Sequence, residues 1–439
     1  MDLLARLEQL PVSKFHYRLL LLVGIGWLFD AMDTGLIGFI MTTLGKEWSL
    51  TPAQLGYVVS IGFVGMAFGA MYAGFLADRF GRRKVFMATL ILYSVATALC
   101  GISWNLTSLL VFRFFVGLGL GGQLPVAVTL VSEFVPARVR GRFIVLLESF
   151  WAVGWLVATL VAYMFIPRFG WQVAFFIGGL PIFYVFALKK LLPESVPYLI
   201  VHNRIEEAHK VVCQLEKLSG VAVNNDIVLP EKKTARTIHL SELWQGRFFK
   251  RTLMLWLIWF GIVFSYYGIF TWLPKLMTER GYDIIKTFEY VLMMTLAQFP
   301  GYFSAAWLVE KIGRKITLAT YIAACAVCAY FFGQSDSVMQ ILIWGSLLSF
   351  FNLGAWGVLY SYTPELYPTE FRAFGSGWAA AIGRMGGIIA PLVVPMVMTQ
   401  ENGYVKVFMM FAAVLVAVAV IIAVLGEETK GHSLQELNQ

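Results

Sequence analysis

Charge is scarce in this chain. Of its 439 residues only 14% are Asp, Glu, Lys or Arg, while 59% are hydrophobic. Soluble domains carry roughly 25% charged residues, so the composition points away from a water-solvated fold and toward a membrane protein. Cysteine is rarer still, with four in all, which rules out a disulfide framework. Cys325 and Cys328 do form a CxxC, but inside an apolar run with no redox or zinc context, and they read as packing side chains. No nucleophile stands beside a base, no metal-ligand cluster occurs, and no phosphate loop has a strand before it. An enzyme is therefore not expected, and no cofactor or metal is called for. The run GLGLGG within Gly117–Gly122 has the look of a nucleotide loop, yet an apolar span surrounds it, and close helix packing explains it better. A cleavable signal is not expected either: Met1 to Tyr17 is too polar, and the first apolar run is long enough to remain in the bilayer.

What the chain does have is apolar length. Twelve runs approach the roughly 20 residues that a helix needs to cross the hydrocarbon core. Six lie at about 18–41, 52–76, 84–103, 106–131, 143–165 and 171–191, and six at about 251–273, 286–310, 315–333, 337–361, 374–398 and 404–425. The six-plus-six count has an internal reason. GFLADRFGRRK, from Gly74 to Lys84, returns as WLVEKIGRK, from Trp307 to Lys315. Asp78 answers to Glu310 and Gly81 to Gly313 at a spacing of 232 (310 minus 78). The same shift carries Glu133 to Glu365, Pro136 to Pro368, Arg140 to Arg372, Gly122 to Gly354 and Trp27 to Trp259. One offset shared by separate motifs marks a duplicated unit. The expected fold class is an all-α membrane protein with two pseudo-symmetric six-helix bundles. Residues 1–191 form the first and 251–426 the second. Residues 192–250 form a polar loop between them, and 427–439 form a tail.

Basic residues set the orientation. Arg6, Lys14 and Arg18 precede the first span; Arg79, Arg82, Arg83 and Lys84 follow the second; Arg138, Arg140 and Arg142 follow the fourth; Lys311, Arg314 and Lys315 repeat the pattern. The alternate loops hold little beyond Lys46, Arg168, Lys275, Arg280, Lys286 and Lys406. Both termini are expected on the cytoplasmic side, and the net charge of +8 needs no nucleic-acid partner. In the polar loop, Ile205, Ala208, Val211, Val212, Leu215 and Leu218 recur at helical spacing, which predicts an amphipathic helix over Arg204–Ser219. The charged linker Pro230 to Arg236 is expected to lack fixed structure.

Five charged side chains fall toward the middle of the spans, away from their ends: Asp30 and Asp33 in the first, Arg113 in the fourth, Glu148 in the fifth and Arg384 in the eleventh. Each is a functional hypothesis, because a charge in hydrocarbon is costly. Asp30 and Asp33, three apart, share a helix face. Asp33 and Arg113 fall at similar depths and are expected within ion-pair or water-bridged reach. Three acids and two bases leave one formal negative charge unless a proton is bound, so these residues are the candidates for proton coupling. Aromatic residues gather near them. Glu148, Trp151 and Trp155 make one stripe; Asn352, Trp356 and Tyr360 make another; Tyr266 and Tyr267 lie in FSYYGIFTW. Trp27, Trp48, Trp104, Trp244 and Trp272 read as packing or interface anchors. Rings such as Trp151, Trp356 and the tyrosine pair can sandwich a flat ligand, and Arg384 can hold a carboxylate bidentately.

These strings also carry a resemblance. GFLADRFGRRK with its echo, and RFFVGLGLGG from Arg113 to Gly122, resemble the signature of the major facilitator superfamily. LPESVPYL (Leu192 to Leu199) and EETKGHSL (Glu427 to Leu434) resemble motifs of its sugar-porter branch. WLFDAMD (Trp27 to Asp33), LLESFWAVGW (Leu146 to Trp155), FSYYG (Phe264 to Gly268) and SFFNLGAWGVLY (Ser349 to Tyr360) are similar to the bacterial niacin permeases, relatives of the synaptic vesicle glycoprotein 2 group. The resemblance implies a monomeric inner-membrane importer of nicotinate and a proton, working by alternating access with its site between the halves. It implies a ligand ring held by Trp151, Tyr266, Tyr267 and Trp356, with Arg384 in the same cavity; Asn352 and Tyr360, on the Trp356 stripe, are further candidates for binding the substrate by their spacing alone. It further implies a cytoplasmic gate of Asp78, Arg82 and Glu133 with Glu310, Arg314 and Glu365. The glutamines that sugar porters place on the fifth and seventh helices are absent here, which argues against a hexose. Other readings remain open at this point: a carrier of another aromatic acid or of nicotinamide, an exporter of aromatic drugs, and a receptor or regulator with a transporter-like body.

Overall fold

The computed structural model describes residues 2–223, 240–368 and 371–430. The linker at Pro230–Arg236 and the end of the tail lie outside the described residues. All regular structure among the described residues is helical. A short α1 (Leu3–Gln9) leads into the long helices α2 (Lys14–Glu47), α3 (Pro52–Phe80), α4 (Arg82–Cys100), α5 (Leu106–Phe134) and α6 (Ala137–Phe169). Next, α7 (Trp171–Gly179) passes through one 3-10 turn at Leu180–Phe183 into α8 (Tyr184–Leu191). Two short helices follow, α9 (Val196–Val201) and α10 (Ile205–Leu218), the latter on the predicted amphipathic stretch. The second half contains α11 (Gly246–Glu279), α12 (Ile284–Leu296), α13 (Gln298–Ile312), α14 (Arg314–Gly333), α15 (Val338–Glu365), α16 (Arg372–Met398) and α17 (Gly403–Leu425).

Among the described residues, eleven helices are long and apolar enough to cross a bilayer. The run expected at 286–310 is helical but not one helix. It divides at Ala297 into α12 and α13. Pro300 is the cause: it has no N–H to give the Leu296 carbonyl, and its ring crowds that oxygen. Where helices begin, the duplication is visible atom by atom. Asn105 caps α5 through Ser108, and Ser337 caps α15 through Gln340, each as a reciprocal capping box. The two caps are again 232 residues apart (337 minus 105), and each contributes about 1 kcal/mol to its helix start. The α3–α5 crossing is made by backbone against backbone. A Cβ on Gly117 would lie 1.9 Å from the Gly62 carbonyl oxygen, so no larger residue fits.

Contacts group the chain into two units. Unit 1 comprises Met1–Thr34, Ile61–Ala158 and Gln172–Ala235; unit 2 comprises Gly35–Ser60, Thr159–Trp171 and Arg236–Gln439. Helices α2, α3 and α6 therefore contribute to both. Within unit 1, α10 buries Ala208, Val212 and Leu215. It also buries Glu216, which the apolar pattern did not single out, and Glu216 meets Arg6 of α1 through two bonds of 2.8 Å. That hydrogen bond pushes the Arg6 guanidinium above its ordinary value. Within unit 2, the α2–α3 segment 35–60 lies directly on α11 and α16. Ser60 Oγ donates to the Ile388 carbonyl at 2.8 Å, and a Cβ on Gly38 would come 2.6 Å from the Thr271 carbonyl oxygen.

Candidate functional site

The repeated loops are the place where sequence dictates geometry most directly. Gly81 and Gly313 each end one helix and start the next at φ +102 and +96, a region that L side chains rarely adopt. Space is denied as well: a Cβ on either would come 2.4 Å from a carboxylate, that of Glu194 or of Glu428. Those carboxylates cap the helices that follow. Glu194 accepts the Arg83 backbone N–H at 3.1 Å, and Glu428 accepts those of Arg314 and Lys315 at 2.8 and 3.2 Å. Negative charge at a helix N-terminus is favourable. The strings LPES and EETK thus perform one job in two places, which their 234-residue spacing (428 minus 194) hides from a search at the 232 offset.

Beside each glycine an arginine gathers two acids. Arg82 reaches Asp78 at 2.7 Å and Glu133 at 3.3 Å; Arg314 reaches Glu310 at 3.5 Å and Glu365 at 3.1 Å. Thr429 Oγ1 adds a 2.5 Å bond to Glu365. Sequence reasoning missed Arg251, which is buried and joins Glu427 at 2.5 Å and the Leu366 carbonyl at 3.0 Å. Its place at the polar start of α11 hid it among ordinary flanking bases.

In the core of unit 1, Arg113 Nη1 donates to Asp33 Oδ2 at 3.1 Å, and Thr97 Oγ1 donates to Asp33 Oδ1 at 2.9 Å. Gly62 leaves the room: a Cβ there would stand 3.2 Å from Arg113 Nη2. Asp30 sits one turn away on the same face, 2% exposed, and neither of its oxygens has a hydrogen-bond partner among the described residues. Glu148 is buried too. Trp151 packs against Trp27 with ring centroids 4.8 Å apart, so Trp27 belongs with the candidate residues although its position read as plain packing. Tyr93 Oη and both polar atoms of Gln123 are also buried without hydrogen-bond partners among the described residues. A glutamine inside an apolar span was the available signal for the second.

In the core of unit 2 the arrangement is aromatic. Trp356 meets Tyr266 edge-on at 5.6 Å, Trp259 edge-on at 5.8 Å, and Tyr360 in a stacked pose at 5.7 Å. Tyr267 stands edge-on to Tyr266 at 5.1 Å. Trp259 is oriented by its Nε1–H, which donates to Thr363 Oγ1 at 2.9 Å. Arg384 of α16 is half-buried, feels the Tyr360 and Tyr267 hydroxyls electrostatically, and has no carboxylate within 4 Å among the described residues. Its neighbour Gly383 would, with a Cβ, touch the Trp259 ring at 3.1 Å. Asn352 turns its amide to Cys325 Sγ at 3.5 Å while its Oδ1 is left unpaired. Among the described residues, the Gln298 and Ser349 side chains and the Trp356 indole N–H likewise have no hydrogen-bond partner. Buried polar atoms are rarely left unpaired without a reason. Such a set, around rings and a lone cation, can bind a flat molecule that has hydrogen-bonding edges and one anionic group. No group of three or more His, Cys, Asp or Glu residues that could hold a metal occurs among the described residues.

Comparison with known proteins agrees on the class. A family model described as sugar (and other) transporter matches residues 25–439. The chain is 63% identical, over the whole of both sequences, to the niacin transporter NiaP of Acinetobacter baylyi. It is 32% identical to the 4-hydroxybenzoate transporter PcaK of Pseudomonas aeruginosa, covering 89% of this chain and 88% of that one. Among solved structures, the partially occluded inward-open xylose transporter XylE from E. coli matches with a TM-score of 0.76. That match spans 96% of this chain and all of the other, and at 18% identity it speaks for the fold alone. The protein is a multi-pass membrane transporter and not an enzyme. With nearly the full length matched, the chain belongs to the sugar (and other) transporter family of the major facilitator superfamily.

Proposed function

We propose that this protein imports nicotinate together with a proton across the bacterial inner membrane, with its basic loops and both termini in the cytoplasm. The observation that carries the reading is Arg384. It is a half-buried cation on a membrane helix with no acidic partner among the described residues, near Tyr360 and Tyr267, which in turn pack on Trp356 and Tyr266. An unpaired charge there is costly unless a ligand of opposite sign completes it. Nicotinate supplies a carboxylate for the guanidinium and a flat ring for the aromatic walls. The similarity to a protein named as a niacin transporter supports the same ligand.

Charge arithmetic supports the proton. A negative interior opposes anion uptake by about 2.3 kcal/mol per unit charge per 100 mV. One proton per anion makes the step electrically neutral and lets a pH gradient drive it. Asp33 and Asp30 are the proposed carriers, with Glu148 as a second station. Protonation of Asp33 removes its attraction for Arg113 and loosens a contact that otherwise fixes α2 to α5. Protein motion then exposes the ligand alternately to either side. On the outer side the Ser60–Ile388 hydrogen bond must break for the site to open. On the inner side the Arg82 and Arg314 clusters play that part.

Uptake of labelled nicotinate into proteoliposomes, with and without an imposed acidic exterior, tests this. The reading expects accumulation only with the gradient. Extrusion under the same gradient would make the protein an exporter, and ligand binding without flux would make it a receptor. A benzoate-type acid is the second reading, favoured by the similarity to a 4-hydroxybenzoate transporter. Competition by benzoate, 4-hydroxybenzoate and nicotinamide against labelled nicotinate separates the two.

A further inference from the structure

A cavity of about 500 Å³ opens on unit 1 at the end that carries the GRRK loop. Six cationic side chains line it: Arg18, Arg83, Lys84, Lys189, Lys190 and Arg204. Only two carboxylates share the walls, and both are committed elsewhere. Glu194 accepts the backbone N–H groups of Arg83 and Ser195, and Glu207 pairs with Arg204 at 2.5 Å. Arg83 is spent on the Lys189 carbonyl. Arg18, Lys84, Lys189 and Lys190 have no carboxylate within 4 Å among the described residues. Six cations against two acids leave four unbalanced positive charges around one hollow, a strong local field for an anion.

The floor of the hollow is of the opposite character. Leu19 and Leu22 of α2, Met87 of α4 and Leu215 of α10 form it. From this floor two apolar tracks continue outward along the membrane-crossing helices. On α4, Ile91 and Val95 follow Lys84 on the same side and are each 41% exposed. On the other wall, Phe183 and Phe186 precede Lys189 and are 66% and 74% exposed. A ligand that satisfies both parts is anionic at one end and hydrocarbon along its length. A soluble phosphate compound would use the cations and ignore the tracks.

We propose that this cavity is a binding site for an anionic glycerophospholipid of the surrounding leaflet. The headgroup phosphate lies among Arg18, Lys84, Lys189 and Lys190, and the acyl chains run along Ile91, Val95, Phe183 and Phe186. Basic pockets between membrane helices are suited to such headgroups. Because the hollow is shared by α2, α4, α8 and α10, an occupant ties the amphipathic helix to the bundle.

The test uses the full-length chain, delipidated in neutral detergent and titrated with phosphatidylglycerol or phosphatidylcholine, with bound lipid counted by native mass spectrometry. Phosphatidylglycerol is expected to bind in preference. The combined Lys84→Gln, Lys189→Gln, Lys190→Gln variant is expected to bind it on the order of 100-fold more weakly, about fivefold per cation. Inorganic phosphate at millimolar concentration is expected not to displace it. Should the triple variant fail to fold, Lys189→Gln alone, with its expected fivefold loss, takes its place. Equal binding of the two lipids, or undiminished phosphatidylglycerol binding by the variants, overturns the proposal. Displacement by inorganic phosphate also overturns it and reassigns the hollow to a soluble anion.

Discussion

The cores of the two units descend from one repeated sequence, yet they hold different chemistry. Trp27 and Trp259 are repeat equivalents, and in both cores a second tryptophan lies against them: Trp151 at 4.8 Å in one, Trp356 at 5.8 Å in the other. Beyond that the cores part. In unit 1 the buried arginine, Arg113, is engaged by Asp33, with Thr97 holding the other carboxylate oxygen. In unit 2 Arg384 has aromatic neighbours and no described carboxylate within ion-pair distance. The ends of the repeat did not diverge in this way. The glycine turns, the arginine clusters and the capping boxes occur in both. In the proposed cycle, a device that closes one side needs like parts on each half, whereas a site that moves an acid and a proton needs unlike ones.

The largest expected effect lies at the unpaired cation. Arg384→Ala is predicted to lower nicotinate uptake by two orders of magnitude or more, since a charge-assisted contact with a carboxylate is worth about 3 kcal/mol. Nicotinamide competition, measured alongside, should change far less because that ligand has no carboxylate. Unchanged nicotinate uptake would erase the contrast between the cores. Next comes the engaged pair. Asp33→Asn is predicted to abolish accumulation driven by a pH gradient while leaving nicotinate exchange at zero gradient within about threefold, because only the proton step uses that carboxylate. Survival of gradient-driven accumulation would take Asp33 out of the coupling. Smaller again is Trp356→Ala, predicted to weaken nicotinate binding by about tenfold in a titration, the scale of one lost ring contact.

Most of the scaffold was readable from the chain, and the reasons are physical. Hydrocarbon tolerates only helices and closed barrels, and apolar runs of about 20 residues are helix length, so twelve could be counted before any coordinate. The exception, the divided run at Ala297, was signalled by Pro300 but needed the backbone to show where the break falls. The Asp33–Arg113 pair was legible because helix rise converts residue number into depth. Gln123 and Gln298 were not singled out, because an uncharged amide in an apolar span stands out less than a charge and only burial reveals its missing partners. Glu194 and Glu428 were seen as members of strings, but their task as helix caps depends on a fold that returns each beside a glycine far away in sequence.

Those two caps supply the finest test of the comparison between halves. Glu194 accepts two backbone N–H groups, from Arg83 and Ser195. Glu428 accepts four, from Arg314, Lys315, Thr429 and Lys430, and so fixes both a helix start and the beginning of the tail. A glutamine in either place keeps one acceptor oxygen and loses the charge that favours a helix N-terminus. Both bonds to Glu194 end on Oε1, which glutamine keeps, so Glu194→Gln loses only the charge at the helix start, about half a kcal/mol, whereas Glu428→Gln also leaves the Lys315 N–H on Oε2 unmet, about 1–2 kcal/mol in all. In thermal unfolding of the detergent-solubilised protein, Glu428→Gln is predicted to lower the midpoint by a few degrees and Glu194→Gln by about one. Equal shifts would mean that the glycine turns set the stability at both places and the caps merely occupy the space beside them. A larger loss at Glu194 would mean that the α4 start, which also borders the basic cavity, bears more of the structure than its hydrogen bonds indicate.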